Sequence, residues 1–290
     1  MKKRLEGFKN RAWLIFNIGW TIIYLIWRTL YTVPLHDGII SAVAGISLLV
    51  VEIVGMFEAF VHYFNMHRIE NHPVPVVPLE EYPDVDVFIA TYNEPTELLY
   101  KTINGCVHMD YPDKSKVHIY ICDDGRRAEV KQLAEQMHVN YLDREDNKGA
   151  KAGNLNHALS VTSSPLIATF DADMIPQHEF LVDTVAYFVD QEIKNRELEE
   201  KDRIKIGFIQ TPQSFYNPDL FQFNLFSESR IPNEQDYFYK DVQVARNKSN
   251  CVIYGGSNTV ISREALNDVG GFFTKSITED FATGIKIQQK

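Results

Sequence analysis

Cysteine is scarce in this chain. Three occur in 290 residues, Cys106, Cys122 and Cys251, scattered with no metal-type spacing and odd in number. That excludes a disulfide framework and a cysteine-rich metal module, fits a reducing compartment, and leaves the thiols as buried small hydrophobes. Basic charge is also short: 29 Lys and Arg stand against 39 Asp and Glu, a formal net charge of −10. Nucleic acid is thereby excluded as a partner, since a phosphate backbone needs a basic face. Tandem repeats and low-complexity tracts are lacking, and the most polar stretch, Gln191 to Lys205, reads as a solvated helix and turn. Hydrophobic content of 45% is ordinary and sufficient for a substantial core.

No Lys or Arg lies between Arg28 and Arg68, and that absence is positional. Ala12 to Trp27 carries no charge at all, and with Arg28 to Leu35 it reaches the roughly 20 residues that cross a bilayer. A second apolar segment, Ile39 to Phe60, is interrupted only by Glu52 and Glu58, with Gly45 and Gly55 expected to permit close helix contact. A run this long, without small-residue cleavage chemistry and followed at once by another, reads as a span rather than a signal peptide. Glu52 inside lipid requires either another helix or polar path to face, or a shift of the span toward the interface. Lys2, Lys3, Arg4, Lys9 and Arg11 precede the first span, so the positive-inside rule places the amino terminus in the cytoplasm. The expected organisation is a basic cytoplasmic segment over 1–11, a transmembrane hairpin over 12–66 (about 12–33 and 39–60), a proline-rich linker over 67–84, and a cytoplasmic domain over 85–290.

Within that domain the pattern alternates. Val85 to Thr91, Val117 to Cys122, Leu166 to Phe170 and Ile204 to Ile209 read as strands. Thr96 to Met109, Arg126 to Met137, Ala150 to Ser160 and His178 to Asn195 read as helices. Such alternation specifies an α/β fold with a mostly parallel sheet, whose ligands gather at the carboxyl ends of the strands. Three turns there carry chemistry: Thr91-Tyr92-Asn93-Glu94-Pro95, Asp123-Asp124-Gly125-Arg126, and Asp171-Ala172-Asp173. Asn93, Pro95, Asp124 and Gly125 also suit plain turn and capping roles. Two carboxylates one residue apart at a strand exit are what a hard cation such as Mg²⁺ needs from a protein when substrate phosphates complete its shell.

The ordered set resembles the processive family-2 glycosyltransferases of GT-A (Rossmann-like) fold, and is similar to the catalytic subunit of bacterial cellulose synthase. The matching segments are Thr91 to Glu94, Asp123-Asp124-Gly125, Lys151-Ala152-Gly153-Asn154-Leu155-Asn156, Asp171-Ala172-Asp173, Gln210-Thr211-Pro212-Gln213, Gly255-Gly256-Ser257-Asn258 and Thr278-Glu279-Asp280. The resemblance implies that Thr91, Glu94 and Asp124 contact the uridine of a UDP-sugar, that Lys151 faces its diphosphate, and that Asp173, helped by Asp171, holds Mg²⁺ or Mn²⁺. Gln210 to Asn217 and Tyr254 to Asn258, including Gly256 and Ser257, would line the sugar and acceptor region together with Glu279, with Phe215 and Tyr254 suited to stack on pyranose rings. Asp280 is the implied general base, since an inverting transfer needs a carboxylate to take the acceptor hydroxyl proton. Thr278 is also expected to cap a helix whose first turn holds Glu279 and Asp280.

The implied activity is transfer of glucose from UDP-glucose to the non-reducing end of a growing β-glucan, with cellulose first and mixed-linkage glucan, chitin or hyaluronan as alternatives. The implied setting is the inner (plasma) membrane, multi-pass, with the lipid bilayer, the polysaccharide acceptor and a companion synthase subunit as partners. A membrane-tethered UDP-binding scaffold without turnover is the alternative of another class. The family's Gln-x-x-Arg-Trp motif is not found before Lys290, so residues 85–290 are read as a domain incomplete at its carboxyl end.

Overall fold

The computed structural model describes residues 2–67, 69 and 72–290, with the side chains of 2–11 and Glu234 outside that description. Arg68, at the edge of the interval without Lys or Arg, also lies outside the described residues. The chain forms two compact units, residues 1–71 with 241–249, and residues 72–240 with 250–290.

In the first unit, α1 (Lys2–Trp27) runs into a wide π-type turn over Arg28–Thr32, and α2 (Ile39–Met66) follows. Two segments, Ala12–Thr32 and Ile39–Met66, are long and apolar enough to cross a membrane. Glu52 faces another helix: Arg28 pairs with it at 3.2 Å and also donates to Thr32 Oγ1 at 2.5 Å. Each member of this pair satisfies what would be costly alone in an apolar setting. Gly45 admits the Pro34 ring of the connecting turn rather than a helix, and Gly55 borders open space, so neither glycine makes the close helix contact expected of it.

The second unit is built on a six-stranded sheet. Its elements in chain order are β1 (Val85–Thr91), α3 (Thr96–Val107), β2 (Val117–Asp123), α4 (Ala128–Gln136), β3 (Asn140–Leu142), α5 (Ala150–Val161), β4 (Leu166–Asp171), α6 (Phe180–Arg196), β5 (Phe208–Gln210), α7 (Leu220–Asn224), α8 (Glu234–Tyr237), β6 (Thr259–Ser262), α10 (Arg263–Asp268) and α11 (Glu279–Gln288), with α9 (Gln243–Asn247) belonging to the first unit. The strand order is β3-β2-β1-β4-β6-β5. β3, β2, β1 and β4 run parallel, and β6 runs antiparallel to both its neighbours.

Alternation along β1 shows how sequence sorts the two faces. Val85, Val87 and Ile89 enter a core completed by α3, α4 and α6 residues such as Leu99, Val130 and Leu181. Phe88 points the other way, into a core shared with Ala152, Leu155, Tyr254 and Phe272. Asp86, on that second face and 1% exposed, would be intolerable unpaired; Arg263 reaches it at 2.7 Å and Ser164 donates to it through its amide (2.9 Å) and its hydroxyl (2.7 Å).

Expected and observed elements differ at the short edges. β5 begins at Phe208 rather than Ile204, and β3, β6 and α10 lie in stretches the sequence left unassigned. Cys106 and Cys122 are buried as expected, and burial pushes both thiols well above the ordinary range. Cys251 departs from that expectation and is exposed.

Candidate active site

Register decides what meets at the sheet's working edge. β1, β2 and β4 are aligned so that Thr91 pairs with Asp123 and Ala90 with Asp171, which delivers all three turns to one rim. The turns are then locked to one another. The Asp124 N–H donates to Thr91 O (3.0 Å), and a Cβ at Gly125 would run into the carbonyl of Tyr92. Between the first two turns lies an open cleft of about 620 Å³, lined by Tyr92 to Glu97, Asp124 to Arg127, and Glu129.

Inside this first half, Glu94 is fixed. Its carboxylate accepts from the Thr91 hydroxyl (2.7 Å) and from the N–H groups of Tyr92 (2.8 Å) and Asn93 (3.2 Å). Partial burial would raise its pKa, but these hydrogen bonds outweigh burial and hold it below the usual carboxylate range. Asp123, not Asp124, does the turn's capping, accepting from the amides of Gly125 (3.0 Å) and Arg127 (2.8 Å). Asp124 instead receives a bidentate guanidinium from Arg144 (2.6 and 2.7 Å). Pro95 precedes α3 and supplies no side-chain cap.

Two residues unmarked in the sequence organise this half. Arg127 donates to Thr91 Oγ1 (2.7 Å), to Glu94 O (2.6 Å) and to Asp123 Oδ1 (3.1 Å), tying β1 to β2 at their exits. Arg144 also donates to the carbonyls of Lys148 (2.7 Å) and Ala150 (3.0 Å), which folds the loop before α5 over Asp124. Gly153 makes room for it: a Cβ there would collide with Lys148 O and lie 2.7 Å from the Arg144 guanidinium. Arg144 reaches across turns distant in sequence, and Arg127, though four residues after its partner Asp123, does its organising through bonds to Thr91 and Glu94 on the neighbouring strand exit.

The second half gathers at β4. Lys151, in the first turn of α5, forms an ion pair with Asp171 and donates to Gly256 O (2.8 Å). The Asp171 N–H donates to Ser257 Oγ (3.0 Å), whose hydroxyl donates to Asn258 Oδ1 (2.9 Å). Gly256, at φ +76°, has no room for a side chain; a Cβ would come within 2.9 Å of Asp280 Oδ2 and 3.3 Å of Lys151 Nζ. Lys151, Asp171, Ser257 and Asp280 are thus brought together, while Asp173 lies exposed two residues beyond Asp171.

Gln210 stabilises the segment that carries them. Its Oε1 accepts from Gly255 N–H (2.8 Å) and Thr259 Oγ1 (2.8 Å), and its Nε2 donates to Ser257 O (2.9 Å). Tyr239, also unmarked in the sequence, donates to Gln213 Oε1 (3.1 Å), and burial together with the nearby Asp280 and Asp171 carboxylates raises its pKa. Tyr254 does not stack on a sugar: 1% exposed, it packs against Phe208 and Phe272 in the core. Phe215 is 53% exposed. Thr278 occupies the residue before α11 as expected, but its side chain makes no cap hydrogen bond; its hydroxyl lies 3.3 Å from Ser276 Oγ. Glu279 and Asp280 fill the first turn of α11, and Glu279 O accepts from Thr283 Oγ1 (2.6 Å).

A family model described as glycosyltransferase like family 2 matches residues 83–290. The chain belongs to that family. Among its relatives, cellulose synthase 1 catalytic subunit [UDP-forming] of Komagataeibacter xylinus is 35% identical over 271 residues, which cover 92% of this chain and 34% of that protein. The cellulose synthase catalytic subunit [UDP-forming] of Xanthomonas axonopodis pv. citri (strain 306) is 33% identical over 270 residues, 92% of this chain and 35% of that one. The chain thus spans about a third of the length of these two, and 17% of putative cellulose synthase 2 of K. xylinus, 35% identical over 270 residues. Among solved structures, the fold is shared with the mannosyltransferase PcManGT from Pyrobaculum calidifontis in complex with GDP-Man and Mn²⁺ (TM-score 0.55, 20% identity, 79% of this chain and 59% of that one). It is shared too with S. aureus TarS 1-349 in complex with UDP-GlcNAc (TM-score 0.51, 16% identity, 71% and 53%).

Divalent metal is general among family-2 glycosyltransferases of this fold, and the donor set here suits one. Asp171 and Asp173 offer hard carboxylate oxygens, and Asp171 already holds a cationic group. Among the described residues no cluster of three or more His, Cys, Asp or Glu is assembled for metal. An ion at Asp171 would therefore draw its remaining ligands from water and phosphate oxygens.

Proposed function

We propose that this family-2 chain is the donor-binding and catalytic part of an inverting, metal-dependent glycosyltransferase that moves glucose from UDP-glucose to the non-reducing end of a β-glucan, cellulose first among the products. The observation that carries the reading is the meeting of Lys151, Asp171 and Asp280 around the side-chain-free Gly256, beside a cleft lined by Glu94 and Asp124, with the buried Thr91 hydroxyl holding Glu94 from behind. The 33–35% identity to two UDP-forming cellulose synthase subunits supports the donor and the product.

Chemically, the cleft takes uracil and ribose, with the Asp124 carboxylate, held in place by Arg144, among the groups that line it. Lys151, in the first turn of a 12-residue helix, adds an ammonium to amides and a macrodipole that already favour a diphosphate. Asp171 and Asp173 would hold a divalent ion, which when bound would supply positive charge to offset that developing on the departing UDP. Asp280 takes the proton of the attacking acceptor hydroxyl as the new glycosidic bond forms, so no covalent enzyme intermediate is needed. Gln210, Gly256, Ser257 and Glu279 shape the wall against which donor sugar and acceptor meet.

Residues 12–66 serve as the membrane anchor and 85–290 as the transferase domain, with the amino terminus and that domain on the cytoplasmic side of the inner membrane; of the expected linker 67–84, residues from 72 onward belong to the compact second unit, with Tyr82 buried in its core. A companion subunit would receive the polymer. The test is UDP release by the detergent-purified chain from a panel of UDP-sugars with Mg²⁺, the product then challenged with a β-glucan-specific hydrolase. Release from UDP-glucose with a hydrolase-sensitive product is the expected result. UDP binding without release from any donor would favour a tethered binding scaffold instead.

A further inference from the structure

The carboxylate best placed to receive a metal already has a cation. Lys151 Nζ is held from two directions, by the Asp171 carboxylate and by the carbonyl of Gly256 at 2.8 Å, with the Lys151 side chain 29% and the Asp171 side chain 37% exposed. Asp171 is itself fixed, its N–H donating to Ser257 Oγ at 3.0 Å. Gly256 cannot yield toward the cluster, since even a Cβ there would crowd Lys151 Nζ and Asp280 Oδ2.

The electrostatic consequence is simple. A divalent cation arriving alone at Asp171 meets an ammonium in contact with the same carboxylate, and like charges at that range repel strongly in a partly desolvated site. A nucleoside diphosphate changes the balance, because its oxygens give the ammonium a new acceptor and the metal its missing ligands. The first turn of α5 is where Lys151 would swing to meet them.

We propose that Lys151 is a resident counter-ion: it occupies Asp171 until a diphosphate arrives, then transfers its ion pair to the diphosphate, so that metal and nucleotide enter together rather than metal first. This rests on the nucleotide-sugar reading above and deepens it. Lys151 is on this account a positioning residue that sets the order of binding.

The experiment measures Mn²⁺ binding to the full detergent-solubilised chain without nucleotide, by electron paramagnetic resonance of free Mn²⁺, for the wild type, Lys151→Met and Lys151→Arg. Removing the ammonium should tighten Mn²⁺ binding in the absence of nucleotide by about tenfold or more, while Lys151→Arg keeps it weak. The same Lys151→Met chain should bind UDP in the presence of Mn²⁺ about tenfold less tightly. A merely structural lysine would not tighten metal binding when lost. Lys151→Gln, of different shape, stands in should Lys151→Met fail to fold, as judged by its thermal melt. Equal Mn²⁺ affinity in the wild type and the uncharged variants would overturn the proposal. Failure of the wild type to bind UDP with Mn²⁺ would instead sink the nucleotide reading, and the metal-only comparison would still decide the role of Lys151.

Discussion

Asp280 and Glu94 show how differently two carboxylates can be used within one rim. Asp280 stands in the first turn of α11 with Oδ2 toward Gly256 and Oδ1 accepting from the Phe281 amide (2.7 Å), so it is oriented without being neutralised by a cation of its own. Asp280→Asn keeps the shape and removes the base: transfer should fall by 10²-fold or more, on the order of what a general base supplies, while UDP binding stays within about twofold. Calorimetry beside a UDP-release assay checks the split, and equal loss in both would contradict it. Glu94 is fastened by three donors that hold its pKa below the ordinary 4.5, so its stabilising contribution is complete above the unfolded value and is lost as pH falls through the lower folded value. Glu94→Gln should therefore be less stable than the wild type at neutral pH, with the gap closing from about pH 5 downward as the wild-type carboxylate takes up its proton. Thermal melts across that range measure it.

At the scale of elements, the sheet was readable where strands are long and apolar, and obscure where they are short. Val85 to Thr91 was legible to the residue because both faces of β1 are buried, giving a nearly continuous apolar run. β3 has three residues and β6 four, too few for periodicity to register, and β6 ends in Ser262, a helix cap for α10. Half of the site was legible by the same logic: Asp171, Lys151 and Asp280 lie at strand exits or helix starts. Arg144 and Tyr239 were not, because what makes them matter is a partner distant in sequence, and Arg127 was not because its decisive bonds cross to Thr91 and Glu94 at the neighbouring strand exit. The loop into α5 offers a test at this scale. Gly153→Ala places a methyl against Lys148 O and the Arg144 guanidinium, so it should cost about 1–3 kcal/mol and weaken UDP binding by freeing Asp124 from its partner. The Asp86–Arg263 pair gives another: Arg263→Met strands a carboxylate that is 1% exposed and should destabilise the domain by about 3–5 kcal/mol in denaturant titration.

For the whole molecule, composition and fold converge on one division of labour: an apolar hairpin whose Arg28–Glu52 pair is internal to it, and an acidic α/β unit whose working edge collects both charged halves of the site. The measurement that tests this account most directly is calorimetric titration of UDP into the intact 290-residue chain, with and without Mn²⁺, for the wild type and Asp171→Ala. UDP binding should depend on Mn²⁺ in the wild type and lose that dependence in Asp171→Ala. UDP binding that is absent, or indifferent both to metal and to the loss of Asp171, would contradict it.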